Sequence, residues 1–147
     1  MQTKRILLDI NIIMDLLLAR NPFAKDAKAL FQMAINGEIE IYITSCSINT
    51  LVYYMEKAIG YAATRRIIIN FLQIVKGIDI TINDIEKAFG NLGITDTEDA
   101  IQMQGAVKAG MDMILTRDAD FICVQDQKIP VMSPEMYLKA SKFSKSS

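Results

Sequence analysis

Short apolar runs and longer amphipathic stretches alternate along this chain from end to end. Ile6-Leu7-Leu8, the stretch Ile39 to Ile43, Ile78 to Ile80, Met113-Ile114-Leu115 and Ile129 to Met132 are brief and largely apolar. Runs of that length, bounded by polar residues or glycine, predict strands buried on both faces of a parallel sheet. Between them, apolar residues recur at helical spacing. Ile12, Ile13, Leu16 and Leu17 mark a first helix, and Phe23, Ala27, Leu30, Phe31, Ala34 and Ile35 a second. Asn21-Pro22 predicts an N-cap and first-turn proline for that second helix, and Gly37 its end. Ile48, Leu51, Val52, Met55 and Ile59 predict a third helix capped by Ser45 or Ser47, and Gly60 separates it from a fourth through Ile67, Ile68, Phe71, Leu72 and Val75. A fifth is expected over Asp84 to Leu92, a sixth from Thr95 or Asp96 to Ala109, and a last one from Pro134. This alternation predicts an α/β fold, a three-layer α/β/α sandwich around a parallel sheet of about five strands.

At 147 residues and 51% hydrophobic composition, the chain holds enough material for one well-buried domain, expected over residues 1–141. The terminal stretch 142–147 has no apolar face and is expected to be a flexible tail. A net charge of -1 excludes a broadly basic nucleic-acid wrapper, yet 16 Lys and Arg leave room for a basic rim around an acidic pit. There is no histidine, which removes the usual general base and zinc sites built on imidazole. Cys46 and Cys123 show no CxxC spacing and suit a reduced compartment. Lys4-Arg5 ahead of an apolar stretch imitates a signal peptide, but Asp9, Asn11 and Asp15 interrupt it. No span approaches the roughly 20 apolar residues of a membrane helix, so a soluble, cytoplasmic protein is expected.

The chemistry follows from where the strands end. The first leads into Asp9 and the fourth into Thr116-Arg117-Asp118, and ligands of open α/β folds bind outside the carboxyl ends of the strands. Either aspartate alone has an ordinary explanation, Asp9 as a helix cap and Asp118 as a turn residue. Together they say more. On neighbouring strands about 4.8 Å apart, two carboxylates at about 4 Å repel by roughly 4 kcal/mol at an effective dielectric near 20. A cation or a shared proton must offset that. A third acidic cluster, Asp96, Glu98 and Asp99, opens the sixth helix. Thr95-x-x-Glu98 matches a capping box, which accounts for Glu98, and Asp96 suits the helix dipole. Asp99 precedes the core-facing Ala100-Ile101 and is expected to project toward the strand ends, beside Asp9 and Asp118.

These segments resemble the PIN domains, metal-dependent ribonucleases that include the toxins of VapBC-type modules. ILLDINIIMDLLL, with Asp9, Asn11 and Asp15, is similar to the family's strand followed by Asp-x-Asn and a further Asp. DTEDAIQMQGAVKAGMDMILTRDADF is similar to its Asp-Ala-Ile helix start, small-residue helix, Gly, strand and Thr-x-Asp-x-Asp-Phe. The resemblance covers almost the whole chain. It implies a PIN-like sandwich in which Asp9, Asp99 and Asp118 are catalytic and bind Mg²⁺ or Mn²⁺. Asn11, Asn49, Thr50, Asp96, Thr116 and Asp120 would be auxiliary, and Arg20 and Arg117 would guide RNA phosphates. The implied partners are RNA, a cognate antitoxin and a second copy of the chain, with no membrane.

One departure stands out. The family usually places a glutamate early in its third helix, where this chain has Asn49-Thr50-Leu51. Glu56 lies six residues on and about 120° around the helix, too far to substitute. Two expectations therefore stand side by side: a metal-dependent endoribonuclease, or a catalytically degenerate PIN domain that binds RNA or protein. A phosphatase of the haloacid-dehalogenase type resembles the strand ending in Asp-x-Asp, but Asn11 takes the place of its second acid.

Overall fold

A computed structural model of the chain describes residues 3–125 and 127–145. Five strands, β1 (Lys4–Leu8), β2 (Ile39–Thr44), β3 (Lys76–Ile78), β4 (Met113–Leu115) and β5 (Val131–Met132), form one sheet in the order β3-β2-β1-β4-β5. Every pairing is parallel. The chain builds outward from β1 to β3 on one side, then crosses back to lay β4 on the other. Leu8 pairs with Leu115 in that register. The strand order thus reverses between β1 and β4, the place where a crevice opens beyond the carboxyl ends.

Both faces of β1 are buried because its side chains alternate between two helical layers. Ile6 and Leu8 pack with α1 (Ile10–Leu17), α2 (Ala24–Ile35), α3 (Ser45–Ile59), α4 (Tyr61–Phe71) and α8 (Pro134–Lys145), through residues such as Ile13, Leu30, Leu51, Phe71 and Tyr137. Leu7 faces the other layer, with Ala88 of α5 (Ile82–Phe89), Met103 and Ala106 of α6 (Thr97–Ala109), and Phe121 of α7 (Ala119–Ile122). The α/β/α sandwich with its parallel five-stranded sheet is the architecture that the alternating pattern predicts.

Several boundaries differ from expectation, each for a local reason. The second helix begins at Ala24, not at Asn21-Pro22; residues 21–23 form a turn closed by the Ala24 N–H on Arg20 O at 2.8 Å. The third helix is capped by Thr44 rather than Ser45 or Ser47, since β2 carries extended backbone one residue further and Thr44 Oγ1 accepts from Ser47 N. β3 sits two residues earlier than Ile78 to Ile80, because a capping box between Thr81 and Asp84 claims the chain beyond it and starts α5 at Ile82. The fourth helix stops at Phe71, so Val75 joins the core from the turn that follows. β5 begins at Val131 rather than Ile129. The single-turn helix α7 has no helical period to announce it. α8 carries helical backbone to Lys145, four residues into the stretch expected as a tail, and 146 and 147 lie outside the described residues.

Two glycines set how α6 lies on the sheet. A Cβ at Gly105 would stand 3.0 Å from Ile80 Cδ1 and 3.3 Å from Thr44 Cγ2, so a larger residue would have to push these methyl groups back by a few tenths of an ångström. Gly110 ends the helix in the left-handed conformation (φ 68°), where L side chains are strained.

Candidate active site

Asp9 closes β1 and stands at the N-cap of α1, yet its side chain makes no capping hydrogen bond. Instead, Thr116 Oγ1 donates to Asp9 Oδ2 at 2.8 Å across the β1–β4 junction, with the Thr116 side chain wholly buried. The same hydroxyl oxygen accepts from Asp118 N at 3.0 Å. One threonine therefore holds the backbone of one acid and the carboxylate of another. Asp118 Oδ1 accepts from Asp120 N at 2.9 Å and caps α7, which fixes its side chain as well.

Asp99 arrives from α6. The expected capping box from Thr95 to Glu98 does not form: Asp96 is the N-cap, and its Oδ1 accepts from Asp99 N at 3.0 Å. The cap uses the Asp99 amide and leaves the Asp99 carboxylate to face a cleft of about 460 Å³. Asp9, Asp118, Asn11, Thr50, Asp96, Glu98 and Arg20 line that cleft too. Burial, and then the neighbouring charges of Asp96, Asp118, Asp9 and Glu98, push the Asp99 carboxyl up from 3.8 to about 7. Burial also raises Asp9, while the hydrogen bond from Thr116 and, less strongly, the nearby Ile10 and Asn11 amides and Gln102 pull it back. The three expected catalytic aspartates therefore share one cleft at the carboxyl edge of the sheet.

The auxiliary residues divide. Thr116 lies beneath the site as its organiser, and Asn11, Thr50 and Asp96 line it. Asn49 is exposed on α3, and Asp120 is exposed on α7 and reaches the site through its amide; neither is among the lining residues. The two arginines are drawn inward. Arg117 Nε and a terminal nitrogen donate to the two oxygens of Asp15 at 2.7 and 3.0 Å, and its guanidinium lies 3.8 Å over the Phe23 ring. Arg20 donates to Asp15 Oδ1 and to Asn11 O, both at 3.0 Å. Arg20 reaches the cleft edge, while Arg117 borders a separate hollow beside Phe23 and Pro134.

Sequence reasoning assigned no place in the site to three contributors. Asp15, only 1% exposed, is the buried counter-ion that ties α1 to the Asp118 loop. Glu98, explained away as a cap, lines the cleft. Gln102 lies one turn beyond Asp99, and the i, i+3 rule for neighbours on a helix face could have found it.

A family model for the PIN domain matches residues 5–120. The chain belongs to the PIN-domain family. No curated protein matches the sequence. Among solved structures, it is similar to Mycobacterium tuberculosis VapC20, described as a sarcin-ricin-loop-cleaving toxin, at TM-score 0.63 and 18% identity, over 79% of this chain and 92% of that one. It is also similar to VapBC2 from Rickettsia felis, solved with a DNA fragment from its promoter, at TM-score 0.63 and 17% identity, over 86% and 96% of the two chains. A toxin–antitoxin complex from Klebsiella pneumoniae gives TM-score 0.64 and 20% identity over 87% and 96%. At these identities the likeness is one of fold, and it is the PIN fold of VapC toxins. That assignment, with Asn11 after Asp9, removes the phosphatase reading.

Among the described residues, no three acidic or cysteine side chains already stand in ligating geometry. The donor chemistry nevertheless fits a hard divalent cation, because the carboxylate, amide and hydroxyl side chains that line the cleft with Asp9 and Asp99 all offer oxygen, with Arg20 the exception at its edge. A second observation agrees. Gln102, 6% exposed, presents a buried Oε1 with no hydrogen-bond partner among the described residues. No helix of the described residues is long and apolar enough to cross a membrane.

Proposed function

We propose that this PIN domain, over residues 1–141, is a divalent-metal-dependent endoribonuclease and the toxin of a toxin–antitoxin pair, acting in the cytoplasm. The observation that carries this reading is the convergence of Asp9, Asp99 and Asp118 on one cleft, where crowding and burial hold Asp99 near 7. Such a cluster is stable as a set of anions only with positive charge among them. Mg²⁺ or Mn²⁺ held there would supply Lewis acidity and charge neutralisation for phosphodiester hydrolysis.

In this reading the protein's own groups position the reactants. Thr116 fixes Asp9 and the Asp118 backbone relative to one another. Asp99 faces them from α6, and Arg20 at the cleft edge gives a phosphate an electrostatic handhold. Tyr54 lines the same cleft and offers a ring for a base to stack on. Water adds to phosphorus, the bond to the leaving sugar oxygen breaks, and that oxygen takes up a proton, so no protein nucleophile is required. The absence of histidine in the chain is compatible with this chemistry.

The partners follow from the same reading: RNA as substrate, an antitoxin as inhibitor, and a second copy of the chain. Tyr53, Tyr61 and Ile69 on α3 and α4 are 54%, 74% and 61% exposed, an apolar surface suited to association. A labelled structured RNA incubated with the purified chain and Mn²⁺ tests the activity. Cleavage that stops with EDTA and with Asp118→Asn supports it; RNA left intact by the wild type across Mg²⁺ and Mn²⁺ overturns it.

A second reading has its own observation. Thr50 gives the cleft a short neutral side chain where the family resemblance implies a glutamate. A degenerate module that binds RNA without cutting would retain the fold and shift a labelled RNA on a gel in the presence of EDTA.

A further inference from the structure

Gln102 Oε1 is one of two buried side-chain polar atoms without a partner among the described residues, and its residue is one of those that line the acidic cleft. A buried acceptor left unpaired costs about 1–3 kcal/mol, so its retention calls for a partner that binds there. The surroundings narrow what that partner can be. Gln102 lines the cleft together with Asp9 and is the smallest of the influences that pull the Asp9 carboxyl back down. The oxygen is the end of the amide left to meet a ligand. It does so among Asp9, Asp99 and Glu98, all acceptors when ionised. Carboxylates cannot satisfy an amide oxygen, whereas a hard cation can bind both kinds of oxygen at once.

The helix places it deliberately. Gln102 follows Asp99 by three residues, so both occupy one face of α6. Gly105, three residues further along that face, lets the helix approach Thr44 closely. Thr50 faces the same cleft from α3 with no charge to offer.

We propose that Gln102 is a further oxygen donor of the cation site, a neutral ligand from α6 that completes the set formed by Asp9, Asp99 and Asp118. This inference rests on the cation site of the proposed function. It adds a residue on the same helix as Asp99, so that one rigid element delivers two donors.

The test is Mn²⁺ affinity, read by the loss of the free-ion electron paramagnetic resonance signal, in wild type, Asp9→Asn and two near-isosteric variants. Gln102→Met deletes the oxygen and is expected to weaken binding by about 10-fold or more, within the range seen when site-supporting groups are removed. Gln102→Glu keeps the oxygen and adds charge, and should bind at least as tightly as wild type. Circular dichroism without metal establishes that each variant folds. Gln102→Met binding Mn²⁺ like the wild type overturns the proposal; an ordered water in the adjoining recess beside Thr44 and Ser47 would then be the partner of Oε1. Both variants weakening together would also overturn it, as the mark of a packing role. Failure of the underlying site looks different: wild type and Asp9→Asn would then bind Mn²⁺ equally.

Discussion

Neutralising Asp99 should make the metal-free protein more stable, by an amount that depends on pH. The carboxyl is raised from 3.8 to about 7 by burial and by four acidic neighbours. At about 1.36 kcal/mol per pH unit, that displacement corresponds to about 4 kcal/mol of penalty on the ionised form. The cleft is open to water on one side, and screening reduces the figure to about 2 kcal/mol. The sign follows from proton binding. Between pH 4 and 7 the folded state holds the Asp99 proton more tightly than the unfolded chain, so stability falls as pH rises through this window. Below pH 4 both states are protonated and the penalty vanishes. Asp99→Asn removes the titration, so urea unfolding in EDTA should show a gain of about 2 kcal/mol at pH 8 that shrinks toward nothing near pH 4. Saturating Mn²⁺ should reverse the order at pH 8, because the cation stabilises only the form that binds it. A gain equal at pH 4 and 8, or a loss at pH 8 in EDTA, would refute the electrostatic reasoning.

Further outcomes test other parts of the structure. Arg117→Met leaves the buried Asp15 with Arg20 alone; breaking a buried pair costs about 3–5 kcal/mol, and the surviving partner should reduce this to about 2 kcal/mol in urea unfolding. Asp84 is held at about 2, chiefly by the Lys108 ammonium at 2.7 Å. Its contribution is present above pH 4 and lost as pH falls toward 2, so Asp84→Asn should flatten that limb of the acid-unfolding curve followed by circular dichroism. Thr50→Glu adds a charged oxygen to the cleft and should tighten Mn²⁺ binding by about 10-fold in calorimetric titration while lowering metal-free stability.

The sheet was legible because its strands are short apolar runs, and the β1–β4 adjacency followed from aspartates that end both of them. Helix starts were harder to place. Thr95-x-x-Glu98 has the spacing of a capping box, yet Asp96 takes the cap, since a one-residue choice among Thr, Asp and Thr is decided by backbone geometry and not by pattern. β3 was placed late because Ile78-Asp79-Ile80 looks more like a strand than Lys76-Gly77-Ile78; pairing of Tyr42 with Lys76 decides it. Asp9, Asp99 and Asp118 could be named because carboxylates at strand ends and helix starts are few. Arg117 illustrates the limit. Its place beside Asp118 in the chain suggests the cleft, but a buried Asp15 from 102 positions away captures the side chain. Gln102 was overlooked for the opposite reason: its spacing from Asp99 marks a shared helix face, but an uncharged residue in α6 gives no local sign of burial.

The most direct test of the central claim is an anomalous-difference map from crystals of the wild-type chain grown with Mn²⁺ near pH 7.5. The account predicts a peak in the cleft with oxygens of Asp9, Asp99 and Asp118 at about 2.1–2.2 Å, close to the distances of hard-cation ligation. A well-ordered cleft with no peak at saturating Mn²⁺, or a peak bound by none of the three, would contradict it.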